Sequence, residues 1–440
     1  MEFEERIRSY IPDEYEEFEK CLDRPVTRSL RLNTRKMDRE TFEQTFDMMP
    51  GKESPFTHDA WYVEDALGNH PWHQGGAFYL QEPSASAPVD ILNVQPGDAV
   101  LDLCAAPGSK STQIIRDLGD GFLVANEIDR KRASILLGNL ERSGFSNFLC
   151  TNDDSKKVCD TFPEFFDRIL VDAPCSGEGM IKKHEQALTE WSLDNIHLCA
   201  TRQAEILDNA ARALKPGGTM VYSTCTYARE ENEDTVKAFL QRHPDFEQLA
   251  IDKTYGRPDL DHAGGLRIFP MDGGEGQFAA LLRKRGSGEG IKRKVLKSTR
   301  LTPLENKFID AQLDNSFKYY QRIGDDLYGM DAPFMATGRL HVLRQGVKIG
   351  TTLKNRFEPA QAFFLSEKMI NSSSVELDDE QADAFLHGQQ LTVASEPGWH
   401  SVSYKGIPFG FGKSSGTTLN NKFPKGLRYS PNSHIPEVKK

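Results

Sequence analysis

The sequence predicts an α/β chain built around a doubly wound, parallel sheet. Two observations carry this prediction. Between Pro96 and Leu282, short apolar runs bounded by turn formers alternate with helical stretches, and that alternation lays successive strands parallel. The first run also ends in a loop of small residues, Cys104-Ala105-Ala106-Pro107-Gly108-Ser109-Lys110, at the sheet edge where such folds hold their ligands.

Each element has its own signal. Residues 99–103 are an apolar run between Pro96-Gly97 and Pro107-Gly108, which reads as a buried strand. Residues 109–118 read as a helix with Ser109 as its N-cap. A strand follows at 122–126, then a helix at 130–143 stopped by Gly144. Further strands are predicted at 147–151 and 168–172. A long helix over 195–214 is ended by Pro216-Gly217-Gly218. A strand at 219–223, a helix at 231–243 and a strand at 277–282 complete the unit.

The flanks read differently. Residues 1–94 form an N-terminal α+β region, with an amphipathic helix near 12–22 and a short strand at 29–33. The main domain occupies 95–285. Gly286-Ser287-Gly288-Glu289-Gly290 and the basic Ile291-Lys292-Arg293-Lys294 mark a linker over 286–298. A small α+β domain over 299–360 and a mostly β end over 361–440 follow, with short strands at 341–343 and 362–365.

Composition narrows the function. The chain has 440 residues, 38% hydrophobic and 27% charged, which fits packed domains and excludes a disordered chain. No apolar run approaches the roughly 18 residues of a membrane span. The acidic start, Met1-Glu2-Phe3-Glu4-Glu5, lacks the features of a signal peptide. Seven cysteines without a Cys-x-x-Cys pair indicate free thiols in a cytoplasmic protein. His70-Pro71-Trp72-His73 has no further ligand cluster, so it reads as a loop and no metal is expected. The net charge of −11 argues against a polyanion partner, but its distribution weakens that argument. Residues 286–440 carry 21 basic and 16 acidic side chains, and residues 401–440 carry 7 and 1. This asymmetry fits either a solvated tail or a nucleic-acid contact.

The loop at 104–110 is neither Gly-x-Gly-x-x-Gly nor a Walker A motif. It suits a less anionic ligand with a carboxylate and an amine. Glu127 ends the second strand, where an acidic side chain meets ribose hydroxyls. Asp154 follows the third strand, within reach of an adenine amine, and Asp172 ends the fourth. Singly, Glu127 and Asp154 read equally well as solvated loop carboxylates. As an ordered set these residues point to S-adenosylmethionine.

Two cysteines lie just past strand ends on that edge, Cys175 in Asp172-Ala173-Pro174-Cys175-Ser176-Gly177 and Cys225 in Ser223-Thr224-Cys225-Thr226-Tyr227. A lone cysteine is usually a small buried hydrophobe, and Cys21, Cys150, Cys159 and Cys199 are read that way. A thiol beside a methyl donor suits a pyrimidine. Thiolate addition to carbon 6 makes carbon 5 nucleophilic, carbon 5 takes the methyl group, and loss of its proton releases the thiolate. An acid must hold the cytosine edge, and Asp172 is the candidate. The base must be flipped out or single-stranded.

These segments resemble the RsmB/RsmF (NOL/NOP/SUN) family of RNA cytosine-5 methyltransferases. The resemblance rests on residues 101–110, 172–177 and 222–227, on Glu230-Glu231-Asn232-Glu233, and on Gly274-Glu275-Gly276-Gln277-Phe278. Arg28-Ser29-Leu30-Arg31-Leu32-Asn33, Tyr79-Leu80-Gln81-Glu82 and the domain order suggest the RsmF branch, whose last domain is PUA-like and binds RNA. The resemblance implies a Rossmann-like methyltransferase core. It implies Cys225 as nucleophile and Cys175 as the residue that assists breakdown of the adduct. DNA cytosine-5 methyltransferases use a Pro-Cys cysteine as nucleophile instead, so composition leaves the two thiols undecided. It implies donor contacts from Cys104, Ala105, Ala106, Pro107, Gly108, Ser109, Lys110, Glu127, Asp154 and Asp172, with Lys110 and Arg132 as further site candidates. Ser109 stands where the family often has glycine, and Phe269 where it often has tryptophan. The branch implies small-subunit (16S) ribosomal RNA as substrate and a monomer with no membrane partner. Transfer RNA and a non-catalytic assembly role are the alternatives.

Overall fold

A computed structural model describes residues 3–46, 51–64, 66–182, 191–369 and 374–436. At the N-terminus, the helix expected near 12–22 is Tyr15–Leu22, and a second short helix, Phe3–Tyr10, precedes it. Pro12 separates them, because its ring removes the amide a continuous helix needs. A small antiparallel sheet follows, with β1 (Ser29–Leu32) between β2 (Ala60–Tyr62) and β3 (Phe78–Gln81).

The central sheet takes the expected alternating pattern. β4 (Ala99–Asp102), β5 (Phe122–Asn126), β6 (Phe148–Thr151), β7 (Phe166–Asp172) and β8 (Leu214–Thr224) are parallel, in the order β6-β5-β4-β7-β8. Apolar cores cover both faces, one around Leu101, Val124 and Ile169, the other around Val100, Leu123 and Leu170. This explains why these strands read as unbroken apolar runs.

The sheet is not parallel throughout. Its edges are antiparallel. β9 (Phe246–Leu249), β10 (Arg257–Pro258), β11 (Leu266–Ile268) and β12 (Gln277–Lys284) extend it beyond β8.

The helix after β4 spans Ser109–Asp117, and its N-cap is Gly108, not Ser109 as expected. Gly108 sits at φ +112°, a conformation that side chains disfavour. The helix Arg130–Ser143 ends at Gly144 with φ +82°, as predicted.

Further along the chain, β13 (Tyr319–Ile323), β14 (Asp326–Met330), β16 (Val347–Leu353) and β17 (Arg356–Pro359) form a second small sheet. β15 (Val342–Gln345) leaves it and pairs antiparallel with β6, so this segment supplies the far edge of the central sheet. The strand expected at 362–365 is a helix, Gln361–Leu365. Ala362, Phe363, Phe364 and Leu365 are all buried. A fully buried apolar run carries no period that separates helix from strand. The last sheet is β18 (Ser374–Glu376), β19 (Gly398–Tyr404), β20 (Ile407–Ser414) and β21 (Leu419–Asn421), beside the helix Asp379–Leu386.

The last sheet shares one core with the N-terminal sheet, where Trp72 and Phe78 join Phe385 and Phe409. Lys36 ties three parts of the chain together. Its ammonium donates to the carbonyls of Gly75 (2.5 Å), Arg142 (2.8 Å) and Leu365 (2.7 Å). Lys36→Ala is expected to lower the unfolding free energy by about 3 kcal/mol, at about 1 kcal/mol per buried acceptor left unpaired. Urea titration checks this, and a loss well under 1 kcal/mol would mean that water replaces the ammonium.

Candidate active site

The carboxyl ends of β4 to β8 open into a cleft of about 1050 Å³. Of the sequence candidates, Cys104, Ala106, Glu127, Asp154, Asp172, Cys175, Cys225 and Arg132 line it. The other loop residues shape it from behind. Ala105 donates its amide to Asn126 O at 2.8 Å, and the carbonyls of Pro107 and Ser109 accept from Asn139 and Arg31. Arg132 Nη2 donates to Ala106 O at 2.7 Å and its other arm lies 3.6 Å from Glu127, so one side chain braces both the loop and the carboxylate. Glu127 also accepts from Asp129 N at 2.9 Å. Asp154 caps the helix Ser155–Thr161 by accepting from Lys157 N at 2.8 Å. Under the loop lies Asp102, fully buried, accepting from the Ser111 hydroxyl at 2.6 Å. Burial pushes its pKa up to about 7.

The structure brings the two strand-end thiols together. Cys175 Sγ and Cys225 Sγ lie 3.3 Å apart. Asp172 stands beside them with both oxygens held: Lys110 Nζ donates to Oδ2 and the Ser223 hydroxyl to Oδ1, each at 2.8 Å. Burial opposes the Lys110 charge, but the Asp172 carboxylate outweighs it and the lysine pKa rises. The two thiols separate. The hydrogen bond from Cys175 holds Cys225 below the ordinary thiol value of 9.0, against burial. That same bond, with burial, holds Cys175 well above it. Cys104 is pushed well up by burial, as are Cys150 and Cys159, to about 12.

Sequence reasoning missed the groups that hold the two loops. Glu178 accepts from the Thr226 hydroxyl and Tyr227 N, both at 2.9 Å, and from Trp191 Nε1 at 2.7 Å. Glu231 accepts from Ser176 N at 3.0 Å and Gln203 Nε2 at 2.7 Å. Asn232 bonds the Thr224 hydroxyl and Thr226 O. Glu233 pairs with the buried Arg267 at 2.6 Å, and Arg267 donates to Tyr227 O. The run Glu230-Glu231-Asn232-Glu233 was the available signal, but only the fold shows that it faces both cysteine loops. Phe269, the departure from the family pattern, stacks on Tyr227 with ring centroids 5.1 Å apart, and Phe18 of the N-terminal helices packs edge-on against both.

The histidine pair is structural. His70 caps the helix Pro71–Gln74, and burial lowers the pKa of His73 to about 3. Asp383, His387 and His434 also cluster. Both His387 ring nitrogens face backbone carbonyls, Asp383 O at 2.8 Å and Ser430 O at 3.2 Å, and Asp383 accepts from Ile435 N at 3.0 Å. This cluster fastens the C-terminal segment.

A Rossmann-like sheet with this loop, and paired thiols over a braced aspartate, defines a methyltransferase that uses S-adenosylmethionine. Comparison with known proteins agrees. The family model described as 16S rRNA methyltransferase RsmB/F matches residues 89–283. Models for the N-terminal domain of 16S rRNA methyltransferase RsmF, the first C-terminal domain and the RsmF PUA domain match residues 1–83, 307–366 and 372–429. Ribosomal RNA small subunit methyltransferase F of Vibrio parahaemolyticus is 33% identical, covering 97% of this chain and 96% of the relative. The Klebsiella pneumoniae protein of that name is 33% identical, covering 94% and 92%. A methyltransferase homolog from Pyrococcus horikoshii has 28% identity and TM-score 0.55, covering 62% of this chain and 93% of its own. NSun6 from Pyrococcus horikoshii, solved with SFG, shares the fold at TM-score 0.57 and 22% identity, covering 65% and 98%. The chain belongs to the RsmF family of 16S ribosomal RNA methyltransferases.

Proposed function

We propose that the chain methylates carbon 5 of a cytosine in 16S ribosomal RNA through a covalent bond between Cys225 and carbon 6. The observation that carries this reading is the 3.3 Å contact between the two thiols beside Asp172. The donor set fits S-adenosylmethionine, which supplies an electrophilic methyl group. Glu127 suits the ribose hydroxyls, Asp154 the adenine amine, and the exposed Ile128 an apolar ring face. Cys104 and Ala106 leave room for the amino-acid end.

The protein's own groups then divide the chemistry. Asp172, held by Lys110 and Ser223, fixes the cytosine edge. The Cys225 thiolate adds to carbon 6, and the displaced electrons make carbon 5 nucleophilic. Carbon 5 then takes the methyl group, and the donor's sulfur keeps the bonding pair. Cys175 assists release: a base takes the carbon 5 proton, the carbon–sulfur bond breaks, and its electron pair returns to Cys225. The enzyme acts as a single copy in the cytoplasm, where its RNA is found.

The lowered Cys225 pKa has a pH consequence. Only the thiolate attacks, so single-turnover adduct formation rises with pH, with its midpoint below the ordinary thiol value of 9.0. Cys175→Ala removes the donor that stabilises the thiolate, so the rise moves to higher pH. An unmoved rise would remove Cys175 from that role.

Residues 286–440 cannot be cut away cleanly, because β15 and the shared aromatic core belong to the rest of the molecule. Charge reversal at the exposed Lys413, Lys422 and Lys425 is the sounder test of an RNA-binding end. Replacing all three with Glu is expected to weaken RNA binding and flatten its salt dependence, with donor binding unchanged. Filter binding across a salt series reads it, and an unaltered slope would refute the assignment.

A further inference from the structure

A hydroxyl pair joins the thiol loops one residue beyond the sulfurs. Ser176 Oγ and Thr226 Oγ1 lie 2.8 Å apart. Each hydroxyl also meets a buried carboxyl group: Thr226 Oγ1 lies 2.9 Å from Glu178 Oε2, and Ser176 Oγ contacts Glu231 Oε1. The chain Glu231–Ser176–Thr226–Glu178 therefore contains three oxygen–oxygen contacts. A hydroxyl carries one proton and an ionised carboxylate none. With both carboxyls ionised, two protons would serve three contacts and one contact would set two bare oxygens against each other. The two carboxyl groups are themselves out of reach of water, Glu178 being 3% exposed and Glu231 0%.

The donors around each acid locate the missing proton. Both oxygens of Glu178 accept from N–H groups, Oε1 from Trp191 Nε1 at 2.7 Å and Oε2 from Tyr227 N at 2.9 Å. That is the environment of a carboxylate. At Glu231 the good donors converge on one oxygen, Oε2, which accepts from Gln203 Nε2 at 2.7 Å and Ser176 N at 3.0 Å. Oε1 is left facing the Ser176 hydroxyl, with the Ser176 amide 3.4 Å away. That is the pattern of a carbonyl oxygen and an acid hydroxyl.

We infer that Glu231 is a neutral carboxylic acid whose Oε1–H donates to Ser176, and that it positions the Cys175 loop beside Cys225. Ser176 then donates to Thr226, and Thr226 to Glu178, so every contact has one proton. Burial, which raises the Glu231 pKa, acts in the same direction. The titratable groups that face Glu231 are Cys175, Cys199, Cys225, Glu178 and Tyr222. A negative charge on Glu231 would oppose the Cys225 thiolate, and a neutral acid does not. Glu231 works through Ser176 and touches no reacting atom, so it is a positioning residue. Its bearing on catalysis rests on Cys225 being the nucleophile, but its protonation does not.

Infrared spectroscopy of the full chain at neutral pH tests the inference without any methylation assay. The expected result is a protonated-acid carbonyl band that shifts in deuterium oxide, vanishes in Glu231→Gln and moves in Ser176→Ala, which removes its acceptor. Asp102 also absorbs there if protonated, but does not respond to Ser176→Ala. A second readout is alkylation of Cys225 against pH. Glutamine is neutral, so the Glu231→Gln profile is expected to superimpose on that of the unsubstituted chain. A profile moved to lower pH would mean that a negative charge had been removed. That result, or no band sensitive to Ser176→Ala, overturns the inference. The second criterion stands even if Glu231→Gln does not fold.

Discussion

Cys225→Ala is expected to lower methyl transfer by about 10⁴-fold or more, the scale seen when a covalent nucleophile is removed. The alanine keeps the loop in place, because Thr224, Thr226 and Tyr227 carry its bonds to Asn232 and Glu178. S-adenosylmethionine binding should therefore persist, which separates lost chemistry from lost folding. Equilibrium dialysis of the labelled donor and a methyl-incorporation assay on the same preparation make the comparison. Activity within tenfold of the unsubstituted chain would sink the nucleophile assignment. Cys225→Ser is expected to behave like the alanine, since a hydroxyl in this setting stays protonated where a thiol ionises.

Asp172→Asn is expected to lower kcat by about 10²–10³-fold, the usual effect of removing one preorganised polar group from a reacting centre. Two consequences combine. The amide no longer offers two acceptor oxygens to the cytosine edge and its neighbours. It also leaves Lys110 buried without its carboxylate, since Nζ donates to Asp172 at 2.8 Å. Burial then dominates and Lys110 loses its raised pKa. Steady-state kinetics with small-subunit RNA resolve this, and an unchanged kcat with a raised KM would make Asp172 a binding residue alone.

Much of the core was legible because its strands are buried on both faces and its helices carry clear stops. Gly144 ends a helix in sequence and structure alike, at φ +82°. Gly108 shows the limit of this reasoning. A serine next to it looked like a cap, but the turn needed a conformation that glycine supplies at little cost. At 362–365 an unbroken apolar run hid its own periodicity. β15 was unreadable as part of the central sheet, because pairing across nearly two hundred residues leaves no local signature. The site divides in the same way. Cys104, Glu127, Asp154, Asp172, Cys175 and Cys225 could be placed because each ends or follows a strand. Glu178 and Glu231 could not, because their importance lies in partners brought together by folding.

The covalent bond itself is the central claim, and it can be seen directly. Cys175→Ala protein, S-adenosylmethionine and 16S ribosomal RNA, naked and in assembled small subunits, would be combined and resolved on a denaturing gel. With release impaired, the account predicts a slow-migrating protein–RNA species whose cross-linked peptide contains Cys225, and which disappears when Cys225 is also replaced. An adduct that survives the double substitution, or an RNA methylated normally with no adduct formed, would contradict it.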